Sequence, residues 1–104
     1  MIEVLFRRNA SGFKGFKVNG HSGYADRGYD VVCASVSSLT IHTAEMLVSD
    51  LDIEARVEQD EKGYLSVELK DTNELSEMMI KALIRSLQSI EEEYSDYLKV
   101  EVKE

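Results

Sequence analysis

The side chains best suited to catalysis are the single cysteine, Cys33, and the histidine that precedes it in the chain, His21. A cysteine thiolate attacks carbonyl carbon atoms, and it needs a base or a cationic partner within hydrogen-bond reach. Residues 22–29 form a glycine-containing loop that can fold His21 back over Cys33. The pair therefore predicts acyl-transfer chemistry; a packed, unreactive cysteine and an ordinary strand-end histidine are the alternative.

Cys33 is predicted to lie in the first turn of a helix. Asp30 is a suitable N-cap, which makes Cys33 the third helical residue. Amide groups at a helix start have no intrahelical partners, and the helix carries partial positive charge there. Such amides stabilise a thiolate and can hold the oxyanion of a tetrahedral intermediate. Asp30 has two alternative roles, as a plain cap or as a residue that orients His21.

The second histidine, His42, is excluded as the partner of Cys33 by helix geometry. It lies nine residues further along the same predicted helix. Nine steps of about 100° place it on the opposite side of the helix and about 13.5 Å along the axis. Ser37, by contrast, lies one turn beyond Cys33 on the same surface. We interpret Ser37 either as a hydrogen-bond partner for substrate backbone or as a simple polar helix residue.

The elements that position these residues follow the order β-β-α-β-β-α-β. Alternating apolar residues predict strands, apolar residues with helical spacing predict helices, and glycines mark the loop before the first helix. The predicted strands cover residues 2–8, 13–21, 53–59, 65–69 and 98–102, the helices cover 31–49 and 74–94, and a hairpin turn covers 60–63. A bulge is expected near Gly15.

Each helix is expected to bury one apolar stripe. In the first helix the stripe consists of Val32, Val36, Leu39, Thr43, Met46 and Leu47. In the second helix it consists of Leu75, Met79, Ala82, Leu83, Ser86 and Ile90. We predict a single domain, residues 1–104, with an α+β fold: a two-layer sandwich with both helices packed on one face of a mainly antiparallel sheet.

Composition excludes several classes of protein. The 104 residues carry a net charge of −8, which indicates one acidic domain and argues against direct nucleic-acid binding. One cysteine allows neither an intramolecular disulfide nor an all-cysteine metal site. The sequence shows no signal-peptide pattern and no run of about 20 apolar residues. We therefore expect a cytoplasmic protein without membrane contact, metal or cofactor.

The negative charge is concentrated in the second half of the chain. Residues 1–49 hold five basic and four acidic side chains, whereas residues 50–104 hold seven basic and sixteen acidic ones. The net charges of the two parts are therefore +1 and −9. The acidic half is either a solvated surface or a surface that attracts a basic partner.

Two motifs around the candidate pair resemble the ribosomal-processing cysteine protease family, Prp. They are Gly-His-Ser-Gly-Tyr-Ala at residues 20–25 and Asp-Val-Val-Cys-Ala-Ser-Val-Ser at residues 30–37. The family pattern is Gly-His-small-Gly-Tyr-Ala, followed by Asp-Ile/Val-Val-Cys-Ala-small-Val-Ser. The match is specific over these motifs, and the rest of the chain agrees in length, element order and acidic character.

The resemblance implies a cysteine endopeptidase that removes the N-terminal extension of a bacterial large-subunit ribosomal protein, L-twenty-seven, after a Phe-Phe pair. It implies that Cys33 is the nucleophile, that His21 is the base, and that the protein is a homodimer. The residues expected to bind or orient the substrate are Asp30, Ser37, Tyr24, Tyr29, Gly20 and Gly23. The two tyrosines are candidate pocket walls, and packing within the loop is their alternative role.

A second class of function is a non-catalytic ribosome-assembly factor. Such a protein would bind a basic ribosomal protein through residues 50–104 and would use Cys33 only for packing. Thiol reactivity distinguishes the two functions, because a stabilised thiolate is alkylated quickly below neutral pH and a buried structural thiol is not.

Overall fold

The computed structural model describes residues 1–21, 23–26 and 30–104. Its elements follow the predicted order, and their ends lie within two residues of the predicted ones, except that the first helix ends four residues earlier, at Glu45. The strands are β1 (Ile2–Asn9), β2 (Gly12–Asn19), β3 (Ala55–Gln59), β4 (Leu65–Leu69) and β5 (Leu98–Lys103), and the helices are α1 (Val31–Glu45) and α2 (Glu74–Glu93). A π-helical turn, Met46–Asp50, continues α1 at its C-terminal end.

The five strands form one mixed sheet in the order β3-β4-β2-β1-β5. All neighbouring pairs are antiparallel except β1 and β5, which run parallel. The register of β1 and β2 shifts between Arg7 and Arg8, so the expected bulge is confirmed beside Gly15. A Cβ atom at Gly15 would lie 2.0 Å from the carbonyl oxygen of Val67, so only glycine allows β4 to approach β2 this closely.

Both helices contribute to one hydrophobic core on one face of the sheet, which confirms the α+β sandwich. In α1 the predicted stripe is largely confirmed, with Leu39 and Met46 only partly buried. In α2 the predicted stripe is confirmed only in part, because Leu83 is buried and Met79, Ala82 and Ile90 are partly buried, whereas Leu75 and Ser86 are exposed. The stripe is rotated by about one residue, or 100°, and consists of Ser76, Ile80, Leu83, Ile84 and Leu87.

The capping of α2 explains this rotation. Asn73 is the N-cap, its side chain accepts a hydrogen bond from the Ser76 amide at 2.8 Å, and the Ser76 hydroxyl completes a capping box. The box holds Ser76, which is 0% exposed, against the core. Residues at helical spacing from Ser76, including Ile80 and Leu83, therefore face the sheet, while Leu75 points outward at 50% exposure.

The other face of the sheet is polar, so the fold has two layers rather than three. Arg7 pairs with Glu68 there, and Lys99 pairs with Glu101 at 2.7 Å. The hydrogen bond from Arg7 lowers the pKa of Glu68, and the hydrogen bond between Lys99 and Glu101 raises the pKa of the lysine and lowers that of the glutamate. A hollow of about 250 Å³ on this face contains no nucleophilic cysteine or histidine.

The helical segment Val31–Asp50 is apolar for its length. An 18-residue window within its 20 residues has a mean hydropathy of 1.5, so by length and composition alone the segment could span a membrane. The expectation from sequence concerned a run of about 20 apolar residues, and this segment is not such a run, because it contains His42, Glu45 and Asp50. The core helix of a water-soluble domain meets the same criteria, and this segment places Val32, Val36 and Leu47 in the core of the domain.

Candidate active site

Cys33 and His21 line one cleft, although they come from different elements. His21 follows the end of β2, and Cys33 lies in the first turn of α1. The cleft has a volume of about 490 Å³ and is lined by His21, Gly23, Ala25, Asp30, Cys33, Ala34 and Ser37. The structure thus brings together four of the predicted residues that carry polar or nucleophilic side chains.

The first turn of α1 has the predicted geometry. Asp30 is the N-cap, and its Oδ1 accepts a hydrogen bond from the backbone amide of Cys33 at 2.9 Å. Cys33 is therefore the third helical residue, and its side chain is half-buried, with one side against the core and the other in the cleft. This position combines the field of the helix start with access for a reactant.

The capping bond restricts which amides can bind an oxyanion. The amide of Cys33 donates to Asp30 Oδ1, and the amide of Ala34 donates to the Asp30 carbonyl at 3.0 Å. The amides of Val31 and Val32 precede the helical ladder and have no intrahelical acceptor. Among the first-turn amides that the sequence indicates as oxyanion donors, the amide of Cys33 is therefore already bonded to Asp30.

A second lobe of the cleft extends from the same residues toward the β3–β4 hairpin. Its volume is about 230 Å³, and His21, Cys33 and Ser37 also line it. The remaining lining residues are Val18, Thr40, Ile41, Gln59, Asp60, Glu61, Gly63, Tyr64 and Leu65. Cys33 and His21 therefore lie where the two lobes meet, an arrangement that an extended ligand could cross from one lobe to the other.

The sequence alone does not indicate that the hairpin contributes to the cleft. Residues 60–63 were predicted as a turn, but the turn lies about 40 positions from His21 in the sequence. It reaches the cleft because β4 pairs with β2, which puts the start of β4 beside the end of β2. No local pattern contains that information, since strand order in a sheet is a tertiary property.

Two other candidates, Tyr24 and Gly20, do not line the cleft. Tyr24 packs edge-to-face against Tyr94 and Tyr97, with ring centroids 5.4 and 5.1 Å away, so the structure favours its packing role. Gly20 adopts a φ of +93°, a backbone conformation that glycine adopts without steric strain. Tyr29 lies outside the described residues. His42 is exposed on α1 and absent from both sets of lining residues.

Within residues 1–21, 23–26 and 30–104, no three His, Cys, Asp or Glu side chains are grouped as metal ligands. The chemistry available to the described cleft is that of a thiol, an imidazole, a carboxylate and a hydroxyl. In proteins this combination performs nucleophilic attack on a carbonyl carbon followed by proton transfer to the leaving group.

Comparison with known proteins identifies close structural and sequence relatives. Residues 1–99 match the sequence model of a family described as cysteine protease Prp. The ribosomal processing cysteine protease Prp of Bacillus subtilis is 28% identical over 107 residues, which cover 96% of each chain. Its Staphylococcus aureus counterpart is 25% identical over 88 residues, which cover 83% of each chain.

Solved structures agree with the fold. The S. aureus ribosomal processing protease Prp with a covalently linked product peptide superposes with a TM-score of 0.92 at 24% identity, covering 99% of this chain and 100% of that one. The same protease with a substrate peptide gives a TM-score of 0.86, also at 24% identity and with the same coverage. At this level of identity the similarity establishes the fold.

Proposed function

The chain belongs to the cysteine protease Prp family, and on this premise we propose that it is a ribosomal processing endopeptidase in which Cys33 and His21 form the catalytic dyad. The observation that carries the proposal is that Cys33, in the first turn of α1, and His21, after β2, line the same cleft. Membership in a protease family also argues against the non-catalytic assembly factor, which would leave this shared cleft without a role.

The proposed reaction starts with the thiol proton. His21 accepts the proton of Cys33, and the resulting thiolate attacks the carbonyl carbon of the scissile peptide bond. The imidazolium of His21 then protonates the leaving amine as the C–N bond breaks, which leaves an acyl-enzyme thioester. His21 next takes a proton from water, the hydroxide attacks the thioester, and Cys33 regains its proton as the acid product leaves.

The neighbouring residues support this chemistry in different ways. The amides of Val31 and Val32 are the first-turn donors without an intrahelical acceptor, although neither residue lines the two lobes of the described cleft. Asp30 fixes the backbone of Cys33 through its capping bond. Ser37 lies in both lobes of the cleft, where its hydroxyl is available to the substrate backbone.

We propose that the substrate is the precursor of a large-subunit ribosomal protein, L-twenty-seven, cut after a Phe-Phe pair. The sequence motifs at residues 20–25 and 30–37 support this proposal, as do the names of the B. subtilis and S. aureus relatives, which are ribosomal processing proteases. We also propose that the protein is cytoplasmic, because ribosomal precursors are made in the cytoplasm. We further propose that it is a homodimer, and sedimentation at micromolar concentration measures its oligomeric state.

Substrate specificity provides the direct test of this function. A peptide spanning the precursor junction is expected to be cut after the second phenylalanine, and mass spectrometry of the products locates the cut. A peptide with alanine at that position should lose about 10²-fold in kcat/KM, because deletion of a buried phenyl group costs roughly 3 kcal/mol. Equal rates for the two peptides would remove the phenylalanine pocket from the proposal.

The charge of residues 50–104 predicts a salt effect on capture of the basic precursor. Full-length precursor is expected to have a higher kcat/KM at low salt than the isolated extension peptide. This advantage should shrink between about 0.05 and 0.5 M salt, as the Debye length falls from roughly 14 to 4 Å. The effect should appear in kcat/KM more than in kcat, because charge steering acts on association.

Two variants test whether acidic residues near the cleft produce this salt effect. Glu61 lines the hairpin lobe, whereas Glu74 begins α2 away from the cleft. Glu61→Gln is expected to reduce the salt slope for the full-length precursor more than Glu74→Gln does. The same slope for precursor and extension peptide in the unmodified protein would show that the acidic half is only a solvated surface.

A further inference from the structure

The segment that carries His21 lies between two other chain segments. Gly20 and His21 directly follow β2, and β2 lies between β4 and β1 in the sheet. Both neighbours are antiparallel to β2, so the residues that precede them lie beside the residues that follow β2. Met1 occupies that position on the β1 side, and Gly63, in the β3–β4 turn, occupies it on the β4 side.

Two glycines allow this close approach. A Cβ atom at Gly20 would lie 2.5 Å from the carbonyl oxygen of Met1. A Cβ atom at Gly63 would lie 2.9 Å from the carbonyl oxygen of Gly20 and 3.3 Å from Cε1 of His21, with Nδ1 of the same ring at 3.6 Å. The ring edge with Cε1 and Nδ1 therefore faces the backbone of Gly63, and no larger residue fits between them without displacing one of the two.

The turn that bears Gly63 is held by its own hydrogen bonds. Oδ1 of Asp60 accepts from the amides of Lys62 and Tyr64 at 2.8 and 3.1 Å. The amide of Asp60 donates to the Tyr64 carbonyl at 3.1 Å, which closes the hairpin. The register of Val18 with Leu65 then anchors β4 beside β2. Because these hydrogen bonds fix the turn, the turn limits how far the His21 imidazole can move toward it.

We propose that Gly63 is a positioning residue for His21, so that the β3–β4 turn holds the imidazole in the place from which it exchanges protons with Cys33. This inference rests on the proposed Cys33–His21 dyad, and it assigns the β3–β4 hairpin a role in positioning His21. Proton transfer requires the base within hydrogen-bond reach of the thiol. Misplacement of a catalytic group by about 1 Å can cost 10²-fold in rate.

The test uses Gly63→Ala in the full chain and compares it with Gly12→Ala. Gly12 has a φ of +115° and Gly63 a φ of +92°, so alanine introduces backbone strain at both positions. The three heavy atoms nearest to a Cβ atom at Gly12 all belong to the flexible Glu77 side chain. Gly12 lies at the opposite end of β2, about 26 Å from Gly20 along an extended strand. Melting temperatures of both variants measure the loss of stability that the strain causes.

Gly63→Ala is expected to lower kcat for the precursor peptide by about 10- to 100-fold, with a change in KM below about threefold. It should also slow alkylation of Cys33 by iodoacetamide below neutral pH and shift the pH profile of that reaction toward the profile of His21→Ala. Gly12→Ala should retain both activities at a similar loss of melting temperature. In a His21→Ala background, Gly63→Ala should have no further effect on either rate.

Two more variants guard against a failure to fold. Gly63→Asn adds a Cβ atom but introduces a residue that tolerates a positive φ. Asp60→Ala removes the side chain that holds the turn and adds no atoms near His21. Both are expected to lower kcat and to slow alkylation. Unchanged kcat and alkylation in the folded Gly63 variants, or the same loss with and without His21, would overturn the inference. Normal alkylation in His21→Ala would instead overturn the proposed dyad, and the inference with it.

Discussion

Replacing Cys33 with alanine is expected to reduce cleavage of the precursor peptide by at least about 10³-fold, to the background rate. The physical reason is that no other described residue of the cleft supplies a thiol, and the covalent route through a thioester requires one. Alanine is a good helix former and occupies less space, so the first turn of α1 and its Asp30 cap should remain. Single-turnover mass spectrometry with purified variant and peptide measures the loss.

Ser35→Ala is the matched control for this variant. Ser35 lies in the same helical turn, but it is exposed and donates its hydroxyl hydrogen bond to the Val31 carbonyl at 2.7 Å. We expect Ser35→Ala to cleave at nearly the normal rate. The Cys33→Ala protein should still bind the peptide, because the walls of both lobes remain. Persistent turnover by purified Cys33→Ala would refute the proposed nucleophile.

The second large effect is expected from His21→Ala, with a loss of about 10²- to 10⁴-fold in kcat, the range that general acid–base catalysis contributes. His42→Ala should leave cleavage unchanged, because His42 is exposed and lines neither lobe of the cleft. Both substitutions remove an imidazole group. A difference in kcat between the two variants therefore reports where the histidine lies, and not the general effect of losing an imidazole. Steady-state kinetics with the precursor peptide gives both values.

Alkylation of Cys33 provides an independent readout that needs no substrate. His21→Ala should slow the reaction with iodoacetamide below neutral pH, since the imidazolium no longer stabilises the thiolate. His42→Ala should follow the profile of the unmodified protein. Equal losses of activity in the two variants would contradict the helix geometry that excludes His42.

Local sequence signals predicted the fold class and the chemical centre of the site. Alternation of apolar residues identified the strands, as at Ile2, Val4 and Phe6, because side chains of a strand point alternately to its two faces. The Asp30 side chain marked the start of α1 and placed Cys33 in its first turn. These features depend on neighbours within about four positions, and a sequence displays such neighbours directly.

Two sequence-based predictions failed because each left out a contact that the structure shows. In α2 a stripe through Leu75 and Ser86 was expected, yet the capping box fixed Ser76 inward and turned the helix by about 100°. Tyr24 was a candidate pocket wall, but the C-terminal end of α2 and the segment after it bring Tyr94 and Tyr97 against it. In both cases a contact outside the motif decided which face of the residue is covered.

The sequence by itself determined which groups are proposed to perform the chemistry, because a lone cysteine at a helix start and a histidine at a strand end are defined by short-range patterns. The tertiary structure alone decided what surrounds them. Pairing of β4 with β2 brings the turn at residues 60–63 beside His21 and creates the second lobe of the cleft. Strand pairing joins residues distant in the chain through backbone hydrogen bonds that any residue except proline can make. The identity of the partner strand is therefore set by packing of the whole core rather than by any local motif.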